Sequence, residues 1–276
     1  MATGQIETAD VDLYYTIRGA GPMLVILQGG AGNADGSEDL ANHLANQFTI
    51  VTYDRRGLSR SAPIRAEGYE IATHAVDIAR LIAALSDKPA FVFGTSIGAL
   101  IGLELVAHHA AHVRALIAHE PPVLALLEAT TREEALRHHS EVIETFQRNG
   151  IPAAMKMMVA MSGLDINDRE PEVPAQTLAA DPKVAAERSA DLQHFLTWDV
   201  PAVTRYQPDI AALTAERSKI VPAVGSTSQA TLPYRSATAL AEVLAAKVVE
   251  FPGGHSGYIL RPKAFAAKLD EVFSQR

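Results

Sequence analysis

The chain has 276 residues, 48% of them hydrophobic, with a formal net charge of −8; that suits one large α/β core carrying an insertion. The acidic balance argues against a nucleic-acid partner, which needs clustered Lys and Arg to neutralise phosphates. The absence of cysteine removes disulfides, thiolate metal sites and a cysteine nucleophile together. At the N-terminus, Glu7, Asp10 and Asp12 stand where a signal peptide needs a basic start and an apolar run. No apolar stretch approaches the roughly 20 residues that span a bilayer. The expectation is a soluble, cytoplasmic protein with no membrane partner.

In chain order, Gln5 to Gly19 alternate weakly and end at Gly19-Ala20-Gly21-Pro22, which predicts an antiparallel hairpin. Short unbroken apolar runs follow at Met23–Gln28, Phe48–Tyr53, Ala90–Gly94, Val113–His119, Lys219–Gly225 and Lys247–Phe251. Such runs predict strands buried on both faces, hence a mostly parallel sheet with helices on both faces. Ile71, Val76, Ile78, Leu81, Ile82 and Leu85 recur at helical spacing. A last helix begins near Pro262 and carries Phe265, Leu269, Val272 and Phe273 on one side.

One connection is too long for a crossover. About 100 residues separate the strand ending at His119 from the strand starting near Ile220, where a dozen or so plus short loops would suffice. The segment reads as helices over Glu133–Arg148, Ile151–Met161 and Pro182–Phe195. The expected division is therefore a core from residues 1–122 and 216–276, with a helical cap, residues 123–215, inserted after the sixth strand. The cap holds four of the six methionines, Met155, Met157, Met158 and Met161. Met155 and Met158 are candidate pocket residues, because methionine adapts to irregular apolar ligands; the alternative is that they only pack the cap on itself.

Gly94-Thr95-Ser96-Ile97-Gly98 lies directly after an apolar strand and before the helical stretch Ala99–Ala107. This is the G-x-S-x-G nucleophile elbow in the strand–turn–helix context it requires, with Ser96 as nucleophile. Of the ten histidines, His255 alone sits in a Gly-rich loop just beyond the last strand, after the nucleophile in chain order, where a general base can reach the serine. His108, His109, His112, His138 and His139 read as solvated, and His119 as structural. No histidine or carboxylate pair has convincing metal spacing, so no metal or other cofactor is expected. The Gly-rich turn Gln28–Gly32 makes Gly30 one oxyanion-hole donor, and Ile97, following the nucleophile, the other.

The carboxylate that should orient His255 is harder to place. Glu120, at the end of the sixth strand in Ala118-His119-Glu120-Pro121-Pro122, could meet the imidazole from a strand end only about 5 Å away laterally. The alternative is that Glu120 merely caps the entry to the inserted segment.

These motifs resemble the α/β-hydrolase superfamily along essentially the whole chain. Tyr53–Ser61 looks like that family's loop after the fourth strand, structural through Asp54. Family members commonly read G-x-x-D after the seventh strand; here the chain reads Gly225-Ser226-Thr227-Ser228, with no acid until Glu242. A Ser-His-Glu triad with its acid after the sixth strand is similar to the zearalenone-type lactonases. That resemblance also rests on Pro252-Gly253-Gly254-His255-Ser256-Gly257-Tyr258 and a helical cap ending near Trp198. It implies cofactor-free opening of a macrolactone, with Trp198 against the substrate. The loop Gln28–Gly32 departs from the superfamily in lacking its usual His-Gly start.

The leading expectation is a serine hydrolase of a small, largely apolar ester or lactone acting through an acyl-enzyme. The same triad would also serve carbon–carbon bond hydrolysis or peracid formation. A binding protein that has kept the scaffold without turnover is the alternative from another class. A homodimer is compatible with the sequence and is not required by it.

Overall fold

The computed structural model describes residues 1–7, 11–61, 70–165, 167–173, 182–229 and 231–276, with the backbone alone over 182–185. The strands are β1 (Ala2–Glu7), β2 (Asp12–Arg18), β3 (Met23–Leu27), β4 (Thr49–Tyr53), β5 (Ala90–Thr95), β6 (Val113–His119), β7 (Ile220–Gly225) and β8 (Val249–Phe251). They form one eight-stranded sheet in the order β1-β2-β4-β3-β5-β6-β7-β8. β1 and β2 pair antiparallel, as do β2 and β4, and every later pairing is parallel.

The unbroken apolar strands have a direct cause. On β3, Val25 and Leu27 join one buried cluster while Leu24 and Ile26 join another on the opposite face; on β5, Val92 parts from Phe91 and Phe93 in the same way. With a period of two and a core on either side, every position must be apolar. Helices α1 (Glu38–Leu44), α2 (Ile71–Leu85) and α3 (Ile97–His109) lie between the strands up to β6. Residues Ile97 to Val106 of α3 are all buried, as expected for a helix wedged between a sheet and further helices.

Between β6 and β7 run α4 (Ala129–Asn149), α5 (Ile151–Ser162), α6 (Pro182–His194), α7 (Val200–Arg205) and α8 (Ile210–Ala215). A π-helical turn, Phe195–Asp199, joins α6 to α7. The chain closes with α9 (Leu232–Val243), α10 (Gly257–Leu260) and α11 (Pro262–Phe273). α1 and α11 pack one face of the sheet through Leu40, Leu44, Phe265 and Phe273. α2, α3 and α9 pack the other. The inserted helices hold a cluster of their own around Val142, Ala154, Phe195, Leu196 and Val200, and all four of their methionines pack against it. Among the described residues, no helix is long and apolar enough to cross a membrane.

Candidate active site

Ser96 stands between the end of β5 and the start of α3, with φ 54° and ψ −127°. Such a conformation costs a non-glycine residue about 1–3 kcal/mol and persists only where its surroundings impose it. They do so here by close approach. A Cβ on Gly98 would lie 2.0 Å from the Leu27 carbonyl oxygen, and one on Gly94 would lie 2.5 Å from that of Gly98. The Ser96 amide donates to the His119 carbonyl at 3.0 Å, which ties the elbow to β6. Ile97 opens α3, so its N–H belongs to the first turn, where amides have no intrahelical acceptor and the helix dipole is positive.

His255 follows β8 through Gly253 and Gly254, just before α10. Its Nδ1 donates to Glu120 Oε2 at 2.6 Å, with the Glu120 side chain fully buried and that of His255 13% exposed. A carboxylate only accepts, so Nδ1 carries a proton, and the ring borders both cavities that reach Ser96. The other carboxylate oxygen, Oε1, accepts from the Gly225 amide at 2.8 Å and from the Ser228 hydroxyl. Burial alone would raise the Glu120 pKa, but the hydrogen bond from His255, the neighbouring histidines and the Ser228 hydroxyl bring it down to about 2. Ser228 stands at the position where the G-x-x-D resemblance called for an aspartate, and it donates to the carboxylate that arrives from β6.

His119 is fully buried beneath this pair, 3.2 Å from the Thr95 hydroxyl and stacked on His255 with ring centroids 6.4 Å apart. Burial lowers its pKa to about 4, so it is neutral at ordinary pH and serves as packing for the His255 ring.

Two cavities meet at Ser96 and His255. The smaller, about 70 Å³, is lined by Ile97, His139, Met158, Met161 and Phe195 among others. The larger, about 580 Å³, runs past Gly30, Met155, Met158, Arg188 and Asp191. Gly30 therefore borders one and Ile97 the other. Among the described residues, no hydrogen bond joins the Ser96 hydroxyl to His255; such contacts are commonly long until substrate is bound.

Two sequence expectations are corrected here. Trp198 borders neither of these cavities. The π-helical turn buries Phe195, Leu196 and Asp199, and Phe195 lines both cavities together with Ser96. His139, read as solvated, is 5% exposed and lines the smaller cavity. Ala135, His139 and Val142 are the buried residues of α4, a spacing of four and three that marks one helix face and was visible in the sequence. The two alternatives for the methionines both hold in part: Met155 and Met158 line cavities and pack the inserted helices together, whereas Met157 only packs.

The loop bearing Gly30 is held from below. Arg55, 2% exposed, donates to the Gly30 carbonyl at 2.6 Å and to Asp199 of the inserted segment. Asp199 is fully buried, with His74 Nε2 3.7 Å away; burial holds the His74 pKa well below its usual value, so that ring is neutral. Asp54 accepts from the Ala34 amide at 2.8 Å and from Arg60, a structural role like the one its motif suggested. Asp191 of α6 accepts from the Ser59 amide at 2.6 Å. Among the described residues, no group of three or more His, Asp and Glu side chains is placed to hold a metal ion.

The sequence profile of the alpha/beta hydrolase fold family matches residues 22–262. The chain belongs to that family. It is 36% identical over 277 residues to the uncharacterized hydrolase YraK of Bacillus subtilis, covering 99% of this chain and 96% of that protein. The fold is shared with a thermophilic esterase from Thermogutta terrifontis, at TM-score 0.73 and 17% identity over 100% of this chain and 99% of that one. It is likewise shared with Est816, described as an N-acyl homoserine lactone degrading enzyme, at TM-score 0.70, 20% identity and 99% coverage of both chains. This family member is a hydrolase.

Proposed function

We propose that this hydrolase cleaves carboxylic esters or lactones through an acyl-enzyme on Ser96. The observation that carries the proposal is the orientation of His255. Glu120 holds its Nδ1 at 2.6 Å, and the ring borders the same cavities as Ser96. In this reading Nε2 takes the Ser96 proton as Oγ attacks the substrate carbonyl. The tetrahedral oxyanion is held by the Gly30 and Ile97 amides. Nε2 then gives the proton to the departing alkoxide, and the bond to the leaving oxygen breaks. Water, deprotonated by the same nitrogen, attacks the acyl-enzyme and frees the acid and Ser96.

The β6 glutamate favours the lactonase end of this range, by its resemblance to the zearalenone-type enzymes. A lactone would leave as one hydroxy acid, its freed oxygen remaining on the acyl chain. The larger cavity, about 580 Å³, lies within the range of small-molecule sites and gives a ring room beside Ser96. Residues 123–215 then act as the cap over the core.

A fluorophosphonate probe and p-nitrophenyl butyrate test the proposal together. The expected result is a covalent label on Ser96 and ester turnover, both lost in Ser96→Ala. Folded wild-type protein that neither labels nor hydrolyses any ester or lactone would overturn it.

A further inference from the structure

The smaller cavity is apolar except for four side chains. Ile97, Pro122, Met158, Met161, Phe195 and Val200 supply most of its wall, and Ser96, His139, Ser162 and His255 supply its polar atoms. Ser96 and His255 belong to the chemistry. Ser162 gives its proton to the Val159 carbonyl at 2.9 Å. His139 is left, 5% exposed, on a helix of the inserted segment.

The chemistry of that ring is fixed by its neighbours. Its Nδ1 lies 2.7 Å from the Ala135 carbonyl oxygen, one turn back on the same helix. A carbonyl only accepts, so Nδ1 must carry a proton. Burial lowers the His139 pKa, with His138 adding to the effect and the Ala135 bond opposing it, and the ring is neutral. The second nitrogen, Nε2, is consequently a bare lone pair. The Nδ1 side is turned back on its own helix and the ring lines the smaller cavity, which leaves Nε2 as the nitrogen available to a ligand there. It has no hydrogen-bond partner among the described residues, and it is not one of the polar atoms sealed away from open space.

We infer that the smaller cavity reads a hydrogen-bond donor: His139 Nε2 accepts a hydrogen bond from a hydroxyl on the short arm of the ester that enters there. The inference rests on the proposed chemistry at Ser96 and narrows its substrate class to hydroxylated esters or lactones. An arm without the hydroxyl would strip water from Nε2 and leave it unpaired among Met and Phe side chains. Losing one neutral hydrogen bond in such a pocket lowers specificity by about 10- to 100-fold.

Two matched pairs test it, one with the hydroxyl on the acyl arm and one with it on the alcohol arm. They are p-nitrophenyl 3-hydroxybutyrate against p-nitrophenyl butyrate, and 3-hydroxypropyl acetate against propyl acetate. Wild-type protein is expected to favour the hydroxylated member of one pair by about 10- to 100-fold in kcat/KM. His139→Phe should erase that preference, chiefly by slowing the hydroxylated member, and His139→Gln, which keeps an acceptor, should restore part of it. Equal wild-type rates within both pairs would overturn the inference, as would a His139→Phe variant that slows both members alike, the mark of a purely structural role. Ligand-observed NMR on Ser96→Ala separates this from the chemistry. Preferential binding of ethyl 3-hydroxybutyrate over ethyl butyrate, abolished by adding His139→Phe, sustains the subsite even if Ser96 performs no hydrolysis. Equal binding within that pair and also between 3-hydroxypropyl acetate and propyl acetate overturns it.

Discussion

Glu120 shows how much one residue is asked to do. It is fully buried, it sits at φ 48°, and its two oxygens are shared among His255, Ser228 and the Gly225 amide. Glu120→Gln replaces an acceptor with a group that can offer Nδ1 an amide donor and so favour the wrong tautomer. The expected loss in kcat is on the order of 10³–10⁴ in a protein that still folds, measured with p-nitrophenyl butyrate. Ser228→Ala removes one donor to the carboxylate, worth about 1–3 kcal/mol in a buried site; a loss of activity between threefold and 100-fold is expected, with KM little changed. The pH dependence has a definite sign. The folded pKa of about 2 lies below the unfolded value of about 4.3, so Glu120 stabilises the fold fully above that value and progressively less as pH falls toward 2. Denaturant titrations should therefore show the stability gap between wild type and Glu120→Gln shrinking as pH falls from about 4.5 to 3.

At the scale of elements, the π-helical turn is the joint between the inserted helices and the sheet. Its last residue, Asp199, is buried against Arg55, which in turn holds the Gly30 carbonyl. Asp199→Ala would leave the Arg55 charge buried without its partner, a loss of about 3–5 kcal/mol. We expect a clear drop in melting temperature, and a fall in kcat larger than any rise in KM, because the loop that moves is the one carrying the Gly30 amide. The turn also marks the boundary of what the sequence disclosed. Strand-length apolar runs, the elbow and the Gly-rich loop before α10 are local patterns, and each was legible as such. Trp198 was set against the substrate by resemblance to the lactonases and not by any local pattern, and it borders neither cavity. His139 was misread because a histidine in a polar helix looks solvated until its i−4 and i+3 neighbours are weighed. The contact between Ser228 and Glu120 spans 108 residues; Glu120 could be reached only by elimination, and the hydroxyl that supports it not at all.

For the whole molecule, the parallel strands bring their C-terminal ends to one edge of the sheet, where the proposed reaction lies. β5 delivers Ser96, β6 delivers Glu120, the β7 loop delivers Ser228 and the β8 loop delivers His255. Residues of the inserted helices line both cavities beside Ser96 and His255, so the core is expected to govern chemistry and the inserted segment choice of substrate. The proposed covalent intermediate on Ser96 can be caught by rapid-quench mass spectrometry of the intact protein mixed with p-nitrophenyl butyrate, followed by peptide mapping. The expected result is a transient butyryl adduct on the peptide containing Ser96, absent from Ser96→Ala. Hydrolysis that proceeds with no adduct, or with the adduct on another residue, would contradict it.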